Sequence, residues 1–171
     1  MKQGARFAAV GLTYALVGIS ATWGEPVFTA DKQRLCTKCS TYEWPIERPS
    51  HGIVFVSGSL LGPEVNWIFL NVDSHQLSRV LAVRREGTSG WVVRKVEHRS
   101  IDSDGVEPIV AIANSLWSSG ILRAQRPPAT DGWQDLYLID EDNIRHEQFV
   151  ELKDLPSQLK GAMIGAWYKH K

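Results

Sequence analysis

The 171-residue chain lacks the features that mark several large classes of protein. It has no excess charge of either sign, because 19 lysines and arginines balance 19 aspartates and glutamates. A balanced chain lacks the basic surface that binds nucleic acid or an anionic membrane, so neither partner is predicted. Beyond residue 24 no apolar run approaches the ~20 residues that a spanning helix needs. The mature chain is therefore predicted to contain no membrane span.

Cysteine is scarce and catalytic signatures are missing. The two cysteines, Cys36 and Cys39, cannot form a disulfide framework, although a chain of this length builds a core without a framework or a cofactor. The sequence contains no Gly-x-Ser-x-Gly elbow, no twelve-residue calcium loop and no pair of histidines at zinc-ligand spacing. Accordingly, no cofactor and no metal site is predicted, and no catalytic residue is assigned.

The first 24 residues have the pattern of an export signal. Lys2 and Arg6 form a positive head, residues 7–19 are mainly apolar, and small residues follow up to Gly24. We predict that this segment is cleaved and that the mature protein is secreted or periplasmic. An uncleaved anchor is the alternative, which the short and interrupted apolar run disfavours.

Residues 25–50 are predicted to form an irregular lead-in, and residues 51–171 a single globular domain of the α+β class. Apolar runs separated by turn residues predict a four-stranded antiparallel meander, then a helix, a hairpin and a C-terminal helix. The central strands are apolar at consecutive positions, which predicts a sheet covered on both faces. The predicted strands are residues 53–56, 65–72, 77–85, 91–99, 134–139 and 144–150, and the predicted helices are residues 106–119 and 155–168.

Cys36-Thr37-Lys38-Cys39 is the motif with intrinsic chemistry. Its spacing suits a local disulfide, a redox pair or half of a metal site. Because exported proteins meet an oxidising environment, we predict a disulfide that pins a turn. A redox-active pair is the alternative, although the residues after Cys39 do not form the amphipathic helix whose N-terminus would stabilise a thiolate.

Tryptophan is abundant, with seven residues in the chain. Most are expected in the core, but a tryptophan exposed in a cleft anchors a partner. Trp44 lies near the cysteine pair in sequence, and Trp133 follows the proline-rich loop around Pro127 and Pro128. These two residues are the candidate recognition residues.

The predicted function is that of a non-enzymatic exported protein that binds another protein or a component of the cell envelope. One alternative is a thiol–disulfide protein that uses Cys36 and Cys39. A second is a hydrolase, for which Ser57, Ser59 and the run Asp73-Ser74-His75 supply the residue types of a catalytic triad. That run is better explained as a turn between strands, because Asp and Ser favour turns.

Overall fold

The computed structural model of the chain describes residues 36, 38–59, 62–118, 132–149, 152 and 154–169. The predicted signal segment, residues 1–24, lies outside the described residues. So does the proline-rich loop at Pro127 and Pro128. No helix of the described residues is long and apolar enough to cross a membrane.

The domain is built on one six-stranded antiparallel sheet with the strand order β4-β3-β2-β1-β5-β6. The first four strands form the predicted meander, and the last two form the predicted hairpin, which joins the sheet beside β1. The α+β fold class is thus confirmed. The strands are β1 (His51–Ser59), β2 (Glu64–Asn71), β3 (Gln76–Arg84), β4 (Trp91–Ser100), β5 (Gly132–Asp140) and β6 (Asn143–Phe149).

Strand β1 lies at the centre of the domain because it pairs with β2 on one side and with β5 on the other. Residues 52–56 of this strand are all buried, so both of its faces are covered. This explains why its sequence is apolar at consecutive positions rather than at alternate ones. The predicted burial of both faces is therefore confirmed.

Two helices, α1 (Ser103–Ser118) and α2 (Asp154–Lys169), cover one face of the sheet. The residues that they bury recur at helical spacing, and they pack on side chains of β1, β2, β3 and β5. The Asp102 carboxylate accepts a hydrogen bond of 2.8 Å from the backbone N–H of Gly105, which caps the start of α1. The buried residues are Val106, Ile109, Ala113, Leu116 and Trp117 of α1, and Pro156, Leu159, Met163, Ala166 and Trp167 of α2.

The two glycines of α2 differ from what their spacing suggests. Gly161 and Gly165 lie four residues apart, a pattern that predicts close packing of the helix on the sheet. Both are exposed, and a β-carbon at either position would meet no atom within 4 Å. The small residue on the buried side of this helix is Ala166, at 8% exposure. The close-packing interpretation of these glycines is therefore wrong.

The opposite face of the sheet is covered by the lead-in. Side chains from residues 36–46 pack on a second apolar cluster that β1, β2, β3, β5 and β6 contribute. Within residues 38–50 of the lead-in, the regular element is a 3-10 turn at Cys39–Thr41. The lead-in nevertheless takes the place of a second helical layer.

Candidate functional site

The cysteine pair lies at the end of the lead-in that reaches β6. Cys36 and Cys39 form a disulfide with an S–S distance of 2.06 Å, which confirms the predicted bond. The backbone N–H of Cys36 donates to the carbonyl of Ile144 at 2.6 Å, and this contact ties the motif to β6. Cys39 is 5% exposed, whereas Cys36 is half-buried. Cys36 is thus the more exposed residue of the pair.

His146 stands beside this disulfide. One ring nitrogen of His146 and the two sulfur atoms all lie within 4.8 Å of one another. The hydrogen bond to Ile144 explains the approach, because it anchors Cys36 to β6 two residues before His146. No local spacing in the sequence predicts this neighbour, since it depends on how the lead-in docks on the sheet.

Asp135 and Tyr137 of β5 hold the imidazole of His146 from two sides. The ring stacks on that of Tyr137 with centroids 4.4 Å apart and an interplanar angle of 6°. Tyr137 and His146 are register partners in the β5–β6 pair. His146 Nε2 lies 3.2 Å from Asp135 Oδ1, yet both atoms are buried without an aligned hydrogen bond. The carboxylate and the imidazole are therefore in close contact, but this contact does not fully satisfy either group.

Two phenols complete the surroundings of the site. Burial raises the pKa of Tyr137, and the nearby Asp135 carboxylate raises it further. Burial also raises the pKa of Tyr42, although the positive charge of Arg84 opposes the change. The Tyr42 and Tyr137 side chains are hydrogen-bonded to each other. Both phenols therefore stay neutral at physiological pH, while Asp135 and Arg84 are the charged groups that lie near them.

Trp44 packs against the aromatic rings near this site and is not a free surface residue. Its ring centroid lies 5.0 Å from that of Tyr137 and 5.9 Å from that of Trp67. Trp44 is half-buried, and its edge-to-face contacts are those that aromatic rings favour. Trp133 is also half-buried and packs beside Gly58 on the same face of the sheet. The two candidate recognition residues thus share a face, each with part of its ring exposed.

A polar groove lies on the same face of the sheet, towards strand β4. It has a volume of about 470 Å³ and lies between lead-in residues 46–50 and strands β2, β3 and β4. Ser78 Oγ and His98 Nδ1, which both line it, lie 2.8 Å apart. Asp73 also lines the groove and contacts His51 Nδ1 at 2.9 Å. The groove is thus lined by polar side chains together with apolar ones from Ile46, Phe69 and Val96.

The residues that the sequence offered for a hydrolytic triad lie in separate elements. Ser57 and Ser59 lie on β1, whereas Asp73, Ser74 and His75 form the turn between β2 and β3. The interpretation of this run as a turn is therefore confirmed. Asp73 pairs with His51, and the Ser–His contact in the groove involves Ser78 and His98 instead.

No protein-family model matches this chain, and no curated protein matches its sequence. Its function therefore has to be inferred from the chemistry of the site. Two sulfurs beside an imidazole can exchange disulfide bonds, and after reduction they can bind a metal ion. The polar groove can accept a small ligand or a peptide side chain.

Proposed function

We propose that the protein is an exported thiol–disulfide protein whose exchanging group is the Cys36–Cys39 pair. The observation that carries the proposal is the imidazole of His146, which lies within 4.8 Å of both sulfur atoms. A neighbouring imidazolium stabilises a thiolate, which is the reactive form of cysteine. This position supplies the stabilisation that a helix N-terminus gives in other redox pairs.

The unequal exposure of the two cysteines suggests which sulfur is attacked in the exchange. A thiolate of a partner dithiol attacks Cys36 Sγ, the S–S bond to Cys39 breaks, and the electron pair leaves on Cys39 Sγ. The second thiolate of the partner then attacks the mixed disulfide and releases Cys36. The partner is oxidised to a disulfide, Cys36 and Cys39 are reduced, and the two protons from the partner's thiols pass to the released cysteines.

Export is part of this proposal. A structural or exchanging disulfide persists in the periplasm or outside the cell, where the surroundings are oxidising. The predicted signal, residues 1–24, would deliver the chain there. The Cys36–Cys39 bond is compatible with such a compartment. We therefore propose a secreted or periplasmic location.

A redox titration tests the proposal. The full chain is equilibrated with glutathione buffers of graded potential, and the fraction of free thiols is measured after an acid quench. We expect a midpoint near that of the glutathione pool. A midpoint below about −300 mV would identify a purely structural disulfide and overturn the proposal.

Kinetics with matched variants locate the chemistry. His146→Ala is expected to slow reduction by a small dithiol about 100-fold, which is the usual size of a positioned acid–base or charge effect. His98→Ala, on the same sheet face but at β4, is the control and should reduce at the wild-type rate. Equal rates for wild type and His146→Ala would remove the role of the imidazole.

A second candidate is the predicted binding protein, which the groove and the tryptophan-bearing face favour. Trp44 and Trp133 would supply half-exposed rings to another protein or an envelope component. Trp133→Ala should then abolish capture of a purified partner at a temperature at which circular dichroism shows that the variant is still folded. Undiminished capture by this variant would count against the candidate.

A further inference from the structure

Three potential metal ligands converge at one point of the described structure. They are Cys36 Sγ, Cys39 Sγ and a ring nitrogen of His146, all within 4.8 Å of one another. Around a tetrahedral zinc ion, ligand atoms at bonds of about 2.0–2.3 Å lie roughly 3.3–3.8 Å apart. The His146 nitrogen lies within 4.8 Å of both sulfurs, and the sulfurs, which are bonded at 2.06 Å, must separate by roughly 1.7 Å after reduction to reach that spacing.

We propose that the reduced form of this site binds a thiophilic divalent cation, Zn²⁺, through Cys36, Cys39 and His146. The inference rests on the proposed function in one respect, because the disulfide must open before the sulfurs can become ligands. The Cys-x-x-Cys spacing is that of half a zinc site, and His146 supplies the third ligand from β6. A fourth position stays open to water or to a ligand atom of another molecule.

The three proposed ligands lie on backbone segments that are already hydrogen-bonded to neighbouring segments. Cys36 is fixed to β6 by its 2.6 Å hydrogen bond to Ile144, on the strand that carries His146. Cys39 begins the 3-10 turn, and its carbonyl accepts from the Tyr42 N–H at 3.2 Å. Metal binding would therefore need side-chain rotation more than backbone movement, which limits its entropic cost.

The buried contact between Asp135 and His146 is an independent observation that points to a ligand. Asp135 is 7% exposed, and its Oδ1 and His146 Nε2 have no aligned hydrogen bond although they lie 3.2 Å apart. Unsatisfied buried polar atoms are rare, and an ion bound beside them is one explanation. A carboxylate beside a metal-bound histidine orients the ring and raises its basicity. Asp135 is thus the positioning residue of the proposed site.

Formation of the metal site needs one further reactant, a reductant that opens the disulfide. A dithiol or a phosphine gives two electrons to the Cys36–Cys39 bond, and two protons from solvent or the dithiol complete the thiols. Zn²⁺ then displaces both thiol protons into solvent, while His146 binds through a neutral ring. Two thiolates cancel the charge of the ion, so the assembled site adds no net charge beside the neutral phenols of Tyr42 and Tyr137.

The test uses the full chain reduced with a phosphine, with Co²⁺ as the spectroscopic probe and Zn²⁺ as the competitor. Titration of two free thiols per chain establishes that the bond has opened. We expect one Co²⁺ per chain, with thiolate-to-cobalt charge-transfer bands and the visible bands of a tetrahedral ion. Zn²⁺ should displace the cobalt and remove both sets of bands.

Variants separate the roles of the residues. His146→Ala should weaken metal binding at least 100-fold, His146→Cys should restore it through a third thiolate, and His98→Ala should leave it unchanged. Asp135→Asn should weaken binding by about 10- to 100-fold, the range for an outer-shell carboxylate. If His146→Ala does not fold, His146→Cys still tests the site, because the site then has three sulfur ligands and its charge-transfer bands must strengthen.

Two results would overturn the inference. One is a reduced protein with two titrated thiols that binds neither Co²⁺ nor Zn²⁺, which leaves the thiol–disulfide proposal standing. The other is tight binding that His146→Ala does not change, which would leave a metal site formed by the dithiol alone. Failure of the thiols to titrate in the folded protein would instead overturn the proposed function, and the metal site with it.

Discussion

Gly58 of β1 lies so close to the indole of Trp133 that a β-carbon at residue 58 would be 2.7 Å from Trp133 Cζ2. The two residues are register partners in the β1–β5 pair. The absence of a side chain at Gly58 therefore allows the indole to lie against the sheet. One face of Trp133 is held in this way, and its half-buried state follows from the contact.

We expect Gly58→Ala to destabilise the protein by about 1–3 kcal/mol, since the added methyl overpacks a filled contact. Urea unfolding measures the loss, and tryptophan fluorescence reports the displacement of the indole. Gly62→Ala is the control, because a β-carbon at Gly62 meets nothing within 4 Å. An unchanged midpoint for Gly58→Ala would mean that Trp133 moves away at no cost.

The Cys36–Cys39 disulfide should contribute little to global stability. It closes a loop with a sequence separation of 3, and the entropy removed from the unfolded chain is worth about 2 kcal/mol for so short a loop. The double variant Cys36→Ser/Cys39→Ser is expected to fold and to lose no more than that amount by urea unfolding. Failure to fold would show that the bond holds the lead-in on the sheet.

Arg145 should matter far more to stability than the disulfide. Its side chain is 3% exposed, and its guanidinium donates to the carbonyls of Leu116 and Trp117, each at 2.8 Å, at the end of α1. It also contacts Glu147 at 3.1 Å. Arg145→Met keeps the apolar stem but removes these contacts, and should cost about 3–5 kcal/mol because a buried charge pair is broken.

Lys95→Met serves as the control for the arginine, since Lys95 forms an exposed ion pair with Glu97 at 3.2 Å. Exposed pairs are worth about 0–1 kcal/mol. Chemical unfolding of the two variants should therefore give clearly different losses. Similar small losses would contradict the structural role of Arg145.

Lys160 should make stability depend on pH at the alkaline end. Burial lowers the pKa of its ammonium below the usual 10.5, and Nζ donates to Gln134 Oε1 at 2.6 Å. Between the lowered folded pKa and 10.5 the unfolded chain binds more protons, so this residue's contribution to stability rises with pH in that window. Below the folded pKa, Lys160 is protonated in both states, so its contribution to stability stays at its lowest value.

The comparison with Lys160→Met isolates this effect. The free energy of unfolding of wild type minus that of the variant should increase as pH rises towards 10.5 and then level off. Other alkaline transitions cancel in the difference. A difference that is flat with pH would show that the ammonium is as well solvated in the folded chain as in the unfolded one.

Much of the fold was predictable because its signals are local. Turn residues and apolar runs predicted β3 over residues 77–85, and the strand is Gln76–Arg84. Helical spacing likewise predicted α1 over 106–119 against an observed Ser103–Ser118. Strand and helix periods arise within a few residues, so the sequence carries them directly.

Helix α2 was predicted over residues 155–168 and is Asp154–Lys169, but its two glycines show where a local motif misleads. Gly161 and Gly165 have the spacing of a close-packing motif, but the buried side of the helix is set by Leu159, Met163 and Trp167. Which side of a helix meets the sheet depends on the summed burial of all its apolar residues. Two small residues alone do not decide it.

The sequence by itself determined the order of strands and helices, the antiparallel meander and the local bond between Cys36 and Cys39, because each depends on near neighbours. Only the tertiary structure decided what surrounds that bond. The lead-in has no periodicity to predict where it docks, and β6 lies beside it because β5 of the same hairpin pairs with β1. Non-local pairing and burial of the second sheet face therefore bring His146 to the sulfurs and Asp135 to His146, and the chemistry of the site arises from that docking.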